Sequence, residues 1–253
     1  MPEAGISITF FPETLHAILP LLEGGLIEVL EWSPDLSWNH ELPSWGIDIL
    51  DTFAASGNLL VHGVTYSLLS GSELYHRNWC ERIQRSLDRF PARHLTEHYG
   101  FAMGSNFHQS PPLPMPITET IVIAAQRNGQ LLMDYSRIPV GFENLAFAFS
   151  RYDLEGQVKL LNQVNSQLKS FLLLDLHNLY CQMENFGIGA EEILQLYTAQ
   201  NVIREIHVSG DRGVRALFLA SGSEFGEILT IIVFLIRYLS SLKSRWGCFR
   251  MKS

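Results

Sequence analysis

Phe171-Leu172-Leu173-Leu174-Asp175-Leu176-His177-Asn178-Leu179-Tyr180 is the stretch on which the fold turns. It opens as a continuous apolar run, the mark of a strand buried on both faces of a parallel sheet. At Asp175 the run stops, and a carboxylate, an imidazole and a carboxamide follow within a few residues. Burying such groups is costly unless they are paired or hold a metal. A strand that is apolar until its C-terminal end, and then polar, is what the mouth of an α/β barrel requires. Other apolar runs end the same way, at Glu31, His62, His98, Glu143 and His207.

Working outward, residues 5–11, 26–32, 58–67, 93–99, 138–144 and 202–210 read as further strands. Helical periodicity fills the intervals at 12–22, 47–53, 73–90, 117–134, 155–168 and 190–197. Strand and helix alternating at this pace argue for parallel βα units. The Ser- and Pro-rich stretch 105–116 reads as a loop long enough to be a functional lid or binding loop. After Gly210 the pattern weakens: 214–219 is the one candidate for an eighth strand, 225–242 reads as an apolar helix, and 243–252 is basic. The expectation is a single TIM (β/α)8-type barrel over 1–253, regular over 5–210, with an incomplete or atypical last βα unit and an atypical tail over 211–253.

Bulk composition narrows the function classes. The chain has 253 residues, close to the ~250 typical of one such barrel. Hydrophobic residues make up 47% and charged ones 17%, which fits a folded globular protein. Eighteen Lys and Arg against 26 Asp and Glu leave a net charge of −8 and no basic cluster, so nucleic acid is not the expected partner. Three cysteines (Cys80, Cys181, Cys248) without CxxC spacing point to a reducing compartment. The N-terminus lacks signal-peptide character. The most apolar segment, 228–236, is about half the ~20 residues of a membrane span. A cytoplasmic location follows as the expectation.

A barrel gathers residues at its strand ends onto one face. Two imidazoles and a carboxylate, His62, His98 and Glu143, match the facial triad of non-haem Fe(II) sites, which leaves positions open for oxygen and substrate. Asp175 and His207 could hold a second ion with Glu143 bridging, and Asn178 offers a neutral oxygen to a further one. Glu97, Glu205, Asn144 and His177 are candidates for the groups that orient these ligands. Glu31 fits a rim position or a helix-cap partner equally.

The segments His62-Gly63-Val64, Thr96-Glu97-His98, Glu143-Asn144, Asp175 to Tyr180 and Glu205 to Gly210 occur in the order and spacing of one family. The chain resembles the multinuclear non-haem iron-dependent oxidative enzymes, which include the methanobactin-biosynthesis oxidase and belong to the xylose-isomerase-like barrels. The resemblance implies His62, His98, Glu143, Asp175, Asn178 and His207 as metal ligands, with Glu143, Asp175 and His207 central to catalysis. It implies two or three irons and dioxygen, and rearrangement of cysteine or other side chains in a ribosomally made precursor peptide. A peptide-recognition partner protein is a further expectation. The family's later Asp-x-His pair and last-strand glutamate find no match after Asp211, which implies an altered C-terminus and an incomplete third metal position. Two other readings stand beside this one. A zinc- or manganese-dependent hydrolase or isomerase would use the same barrel, and a non-catalytic peptide-binding barrel would use its mouth without metal.

Overall fold

The computed structural model describes residues 3–104, 107–199, 201–209 and 215–219, the side chains of 104, 107–111, 209 and 215–219 apart. The barrel strands are β1 (Glu3–Ile8), β2 (Val29–Trp32), β3 (Leu59–Gly63), β4 (Leu95–His98), β7 (Val140–Glu143), β8 (Phe171–Asp175), β9 (Ile203–Ser209) and β10 (Arg215–Leu219). Between β4 and β7 lie β5 (Phe101–Gly104) and β6 (Phe107–Leu113), a separate antiparallel pair. The helices are α1 (Pro12–Glu23), α2 (Pro34–Ser37), α3 (Ser44–Ala55), α4 (Glu73–Arg89), α5 (Glu119–Ser136), α6 (Arg151–Leu168), α7 (Leu176–Phe186) and α8 (Ala190–Thr198).

The sheet closes in the order β1-β10-β9-β8-β7-β4-β3-β2. Seven strands run parallel, and β10 pairs antiparallel with both β9 and β1. The reason is chain length. Ser209 pairs with Arg215, so five residues (210–214) join the two strands. A parallel crossover needs a dozen or more residues, whereas a hairpin needs only a few. The last unit is thus atypical, as the weakening pattern implied, yet its strand still seals the barrel edge. A sealed edge leaves no unpaired ladder to recruit another chain.

Strict alternation sorts the side chains. Leu30, Trp32, Leu59, Val61, Leu95, Val140, Phe142, Leu172, Leu174 and Ile206 join the main core between sheet and helices. Their neighbours in sequence face the lumen, where Val29 and Leu60 form a small apolar cluster of their own. A Cβ on Gly141 would stand 2.3 Å from the Phe171 ring, so glycine there lets that ring fill the space. Phe171 in turn lies edge-on to His94, with ring centroids 5.0 Å apart.

Two sequence expectations need correction. The strand at 171–180 ends at Asp175, and Leu176 to Tyr180 form the first turns of α7. Asp175 is the cause: its Oδ1 accepts from the Asn178 backbone N–H at 2.7 Å, which caps the helix and stops the strand. The stretch 105–116 is not a plain loop, since β6 occupies Phe107–Leu113. Ser67, at a positive φ of 57°, fastens this hairpin to the β3–α4 connection by accepting from the N–H groups of Ala102 and Met103 at 2.9 and 3.0 Å. The expected helix at 225–242, the basic stretch 243–252 and Cys248 lie outside the described residues. Cys80 and Cys181 are free and buried.

Candidate metal centre

Six strands contribute to one buried cluster at the C-terminal end of the barrel. His62 comes from β3, His98 from β4, Glu143 from β7, Asp175 from β8, His207 from β9 and Glu31 from β2. His62 Nε2 and His98 Nε2 lie 3.4 and 3.2 Å from the same oxygen, Glu143 Oε2. The two imidazole centroids are 4.8 Å apart. Two ligands of one ion, each about 2.1 Å from it and at tetrahedral or octahedral angles, stand about 3.0–3.4 Å from each other. The spacing therefore suits a shared ion.

Three overlapping groups offer ligand atoms within 4.8 Å of one another: His62, His98 and Glu143; Glu143, Asp175 and His207; and Glu31, Glu205 and His207. Glu143 belongs to the first two, as a bridging carboxylate must. Asn144 supports this arrangement from behind. Its Oδ1 accepts from Asp175 N at 2.8 Å, and its Nδ2 donates to Asp175 O at 3.2 Å, which ties the end of β8 to that of β7. Asn178 donates from Nδ2 to Glu143 Oε1 at 3.1 Å and to Asn144 O at 2.7 Å. Its amide nitrogen thus faces the Glu143 carboxylate.

Further polar groups line the lumen. His62 Nδ1 pairs with Thr96 Oγ1 at 2.9 Å, which leaves Nε2 toward Glu143. His207 Nε2 lies 2.9 Å from Glu31 Oε2 and 3.2 Å from Glu205 Oε1. The other Glu205 oxygen meets His94 Nε2 at 2.9 Å. Glu205 therefore contacts two imidazoles, His207 and His94. Glu97 does not. Its Oε1 accepts from Tyr66 N at 3.2 Å, and its Oε2 has no hydrogen-bond partner among the described residues. Odd and even positions of β4 face opposite ways, so Thr96 and His98 enter the lumen while Glu97 points to the helix layer. His177 lies on α7, with Nε2 3.6 Å from Cys181 Sγ.

Glu31, Thr96 and His94 are the residues that sequence reasoning undervalued. Period-two spacing was the available signal: His94, Thr96 and His98 share one face, as do Glu205 and His207. Glu31 is wholly buried, not a rim or cap residue.

Electrostatics follow from this packing. Burial alone would raise Glu31, but the charge of His207 beside it and their hydrogen bond hold it below the usual carboxylate range. Glu205 is likewise held well below that range, against its burial, by His207 and His94. Burial would lower His207, yet Glu31 and Glu205 push it well above the usual imidazole range. Outside the lumen, Glu97 is raised well above the ordinary value by burial and then by Asp35.

These directions predict a pH window. Stability from depressed Glu31 and Glu205 is complete above their ordinary value of 4.5 and is lost as pH falls through the folded values. Stability from raised His207 is complete below 6.5 and is lost as pH climbs through its folded value. In metal-free protein, Glu31→Gln is therefore expected to destabilise most between about pH 4.5 and 6.5. Urea titrations of both proteins across pH would show the difference narrowing on either side; a pH-independent difference would contradict the pairing.

The donor set suits a transition metal: imidazoles and carboxylates, buried together. His207 Nδ1 is buried and has no hydrogen-bond partner among the described residues, as expected where an ion supplies the missing contact.

Fold and site together define an α/β barrel with overlapping groups of candidate metal ligands at its mouth. The barrel is similar to L-ribulose 3-epimerase (TM-score 0.52, 12% identity, 84% of this chain and 73% of that one). It is also similar to the D-allulose 3-epimerase of Methylomonas sp. (TM-score 0.50, 15% identity, 82% and 70%). These likenesses show the xylose-isomerase-like fold alone. The model of the RiPP precursor modification enzymes MbnB/TglH/ChrH matches residues 35–223, and the chain belongs to that family. Among its relatives are UPF0276 proteins of Caulobacter vibrioides (22% identity, 74% of this chain and 72% of the relative) and Vibrio vulnificus (25%, 77% and 67%). Among the described residues, no helix is long and apolar enough to cross a membrane.

Proposed function

We propose that this chain is an iron-dependent oxidative enzyme that modifies cysteine or another side chain of a ribosomally made precursor peptide. The observation that carries this reading is the sharing of Glu143 between two ligand groups. His62, His98 and Glu143 would hold one ion; Glu143, Asp175 and His207 would hold a second. Two imidazoles and one carboxylate form the ligand set that suits iron and leaves positions for dioxygen and substrate. The precursor peptide follows from membership of the RiPP precursor modification family. Iron, when bound, supplies dioxygen activation and the redox equivalents.

The protein's own residues do the positioning. Thr96 fixes the His62 ring by its Nδ1 contact. Asn178 and Asn144 hold the Glu143 and Asp175 ends of adjacent strands in register. The burial of His62, Glu143, Asp175 and His207 keeps bulk water from the ligands. The hairpin β5–β6, anchored by Ser67, would flank an incoming peptide.

The test is anaerobic reconstitution with Fe(II), metal analysis and oxygen-uptake measurement in the presence of a cysteine-containing precursor peptide. About two irons per chain and peptide-dependent oxygen uptake are expected. A folded protein that retains less than one iron would refute the reading. Peptide turnover that persists without oxygen would move it to hydrolytic or isomerase chemistry.

A further inference from the structure

His207 stands in two of the ligand groups, one with Glu143 and Asp175 and one with Glu31 and Glu205. A neutral imidazole has one lone pair to give an ion, and its other nitrogen carries a proton. It cannot serve both groups as a ligand. Which ring nitrogen is already engaged decides between them. Nε2 lies 2.9 Å from Glu31 Oε2 and 3.2 Å from Glu205 Oε1, the range of N–H···O hydrogen bonds. Nδ1 of the same ring is buried and has no hydrogen-bond partner among the described residues. Glu205 is also engaged on its far side, where Oε2 meets His94 Nε2 at 2.9 Å. His94 is itself held edge-on against Phe171 on the lumen floor.

We propose that His207 presents Nδ1 to the ion it shares with Glu143 and Asp175, while Glu31, Glu205 and His94 form a buried brace that fixes the ring from behind. This rests on the two-ion reading above. His62 is turned the other way, with Nδ1 on Thr96 and Nε2 toward Glu143. The centre therefore uses imidazoles in both senses. The brace has a physical reason: a metal-bound imidazole that donates its other N–H to a carboxylate is locked in tautomer and orientation, and becomes a stronger donor to the ion. Two carboxylates on one N–H, one of them anchored to the barrel floor, make His207 the most constrained ligand of the set. Glu31, Glu205 and His94 are positioning residues and do not touch the ion.

Zinc, which is diamagnetic, is the probe. Long-range 15N–1H spectra of the zinc-loaded protein report which ring nitrogen of His207 is metal-bound and which is protonated. Metal at Nδ1 and a proton at Nε2 are expected; metal at Nε2 would overturn the brace. Glu31→Gln, Glu205→Gln and His94→Gln are each expected to weaken one zinc by about 10–100-fold in chelator competition, with stoichiometry unchanged at saturation. Loss of a whole zinc equivalent in Glu31→Gln would make Glu31 a ligand, and unchanged affinity in all three would make the contacts incidental; either result overturns the proposal. His94→Gln, farthest from the ion, serves if Glu205→Gln does not fold. Failure of the unaltered protein to bind zinc or iron at all would overturn the two-ion reading itself, a result distinct from zinc bound at the wrong nitrogen.

Discussion

Glu143→Gln is expected to strip the centre of both ions at once. Its Oε2 lies 3.4 Å from His62 Nε2 and 3.2 Å from His98 Nε2, and the same carboxylate belongs to the group with Asp175 and His207. The amide keeps the shape of the side chain but gives up the charge that offsets two cations. Iron content should fall from about two per chain to below one, and turnover by more than ~100-fold, since changes behind the ligands alone cost 10–100-fold. His98→Ala makes the contrast. It removes a ligand from one group and should leave the Asp175–His207 position loaded. If Glu143→Gln keeps its full iron, the carboxylate is not shared and the two-ion arrangement fails.

Gly63→Ala is expected to be the most damaging single change to the fold near the site. A Cβ there would stand 2.0 Å from Glu97 Oε2 and 2.9 Å from Trp79 Cζ2. Neither group has room to retreat, because both are buried and the Glu97 carboxyl also receives the Tyr66 N–H. Overpacking and a lost buried hydrogen bond together cost about 2–5 kcal/mol. The strain falls on the residue after His62, so metal affinity should drop as well. A double-mutant cycle tests the cause: in a Glu97→Ala background the cost of Gly63→Ala should shrink, because the nearest clash is gone. Equal costs in both backgrounds would show that some other contact governs the position.

Much of the barrel could be read from the chain because each parallel strand carries its own signal. Apolar runs such as Leu59-Leu60-Val61 and Leu172-Leu173-Leu174 report burial on both faces, and the polar residue that ends each run marks the mouth. His62, His98, Glu143, Asp175 and His207 stood out for that reason, and the structure brings them together. The hairpin over 101–113 was less legible, since the two adjacent prolines of β6 (Pro111 and Pro112) lack the N–H groups that usually mark a strand. The direction of β10 was hidden for a different reason: it depends on the five residues before it, not on its own composition.

Sequence alone determined that the apolar strands end in polar groups at one end of the barrel, because strand burial is a local property. It also determined family membership, through five short segments in order. Only the tertiary structure decided which lumen residues meet. Glu31 and His207 are 176 positions apart and lie 2.9 Å from each other. Closing a tilted eight-stranded sheet fixes such a pairing, and no spacing along the chain records the tilt. The same closure turned Glu31 from an apparent rim residue into a buried partner of His207, and set the Asn178 amide against Glu143.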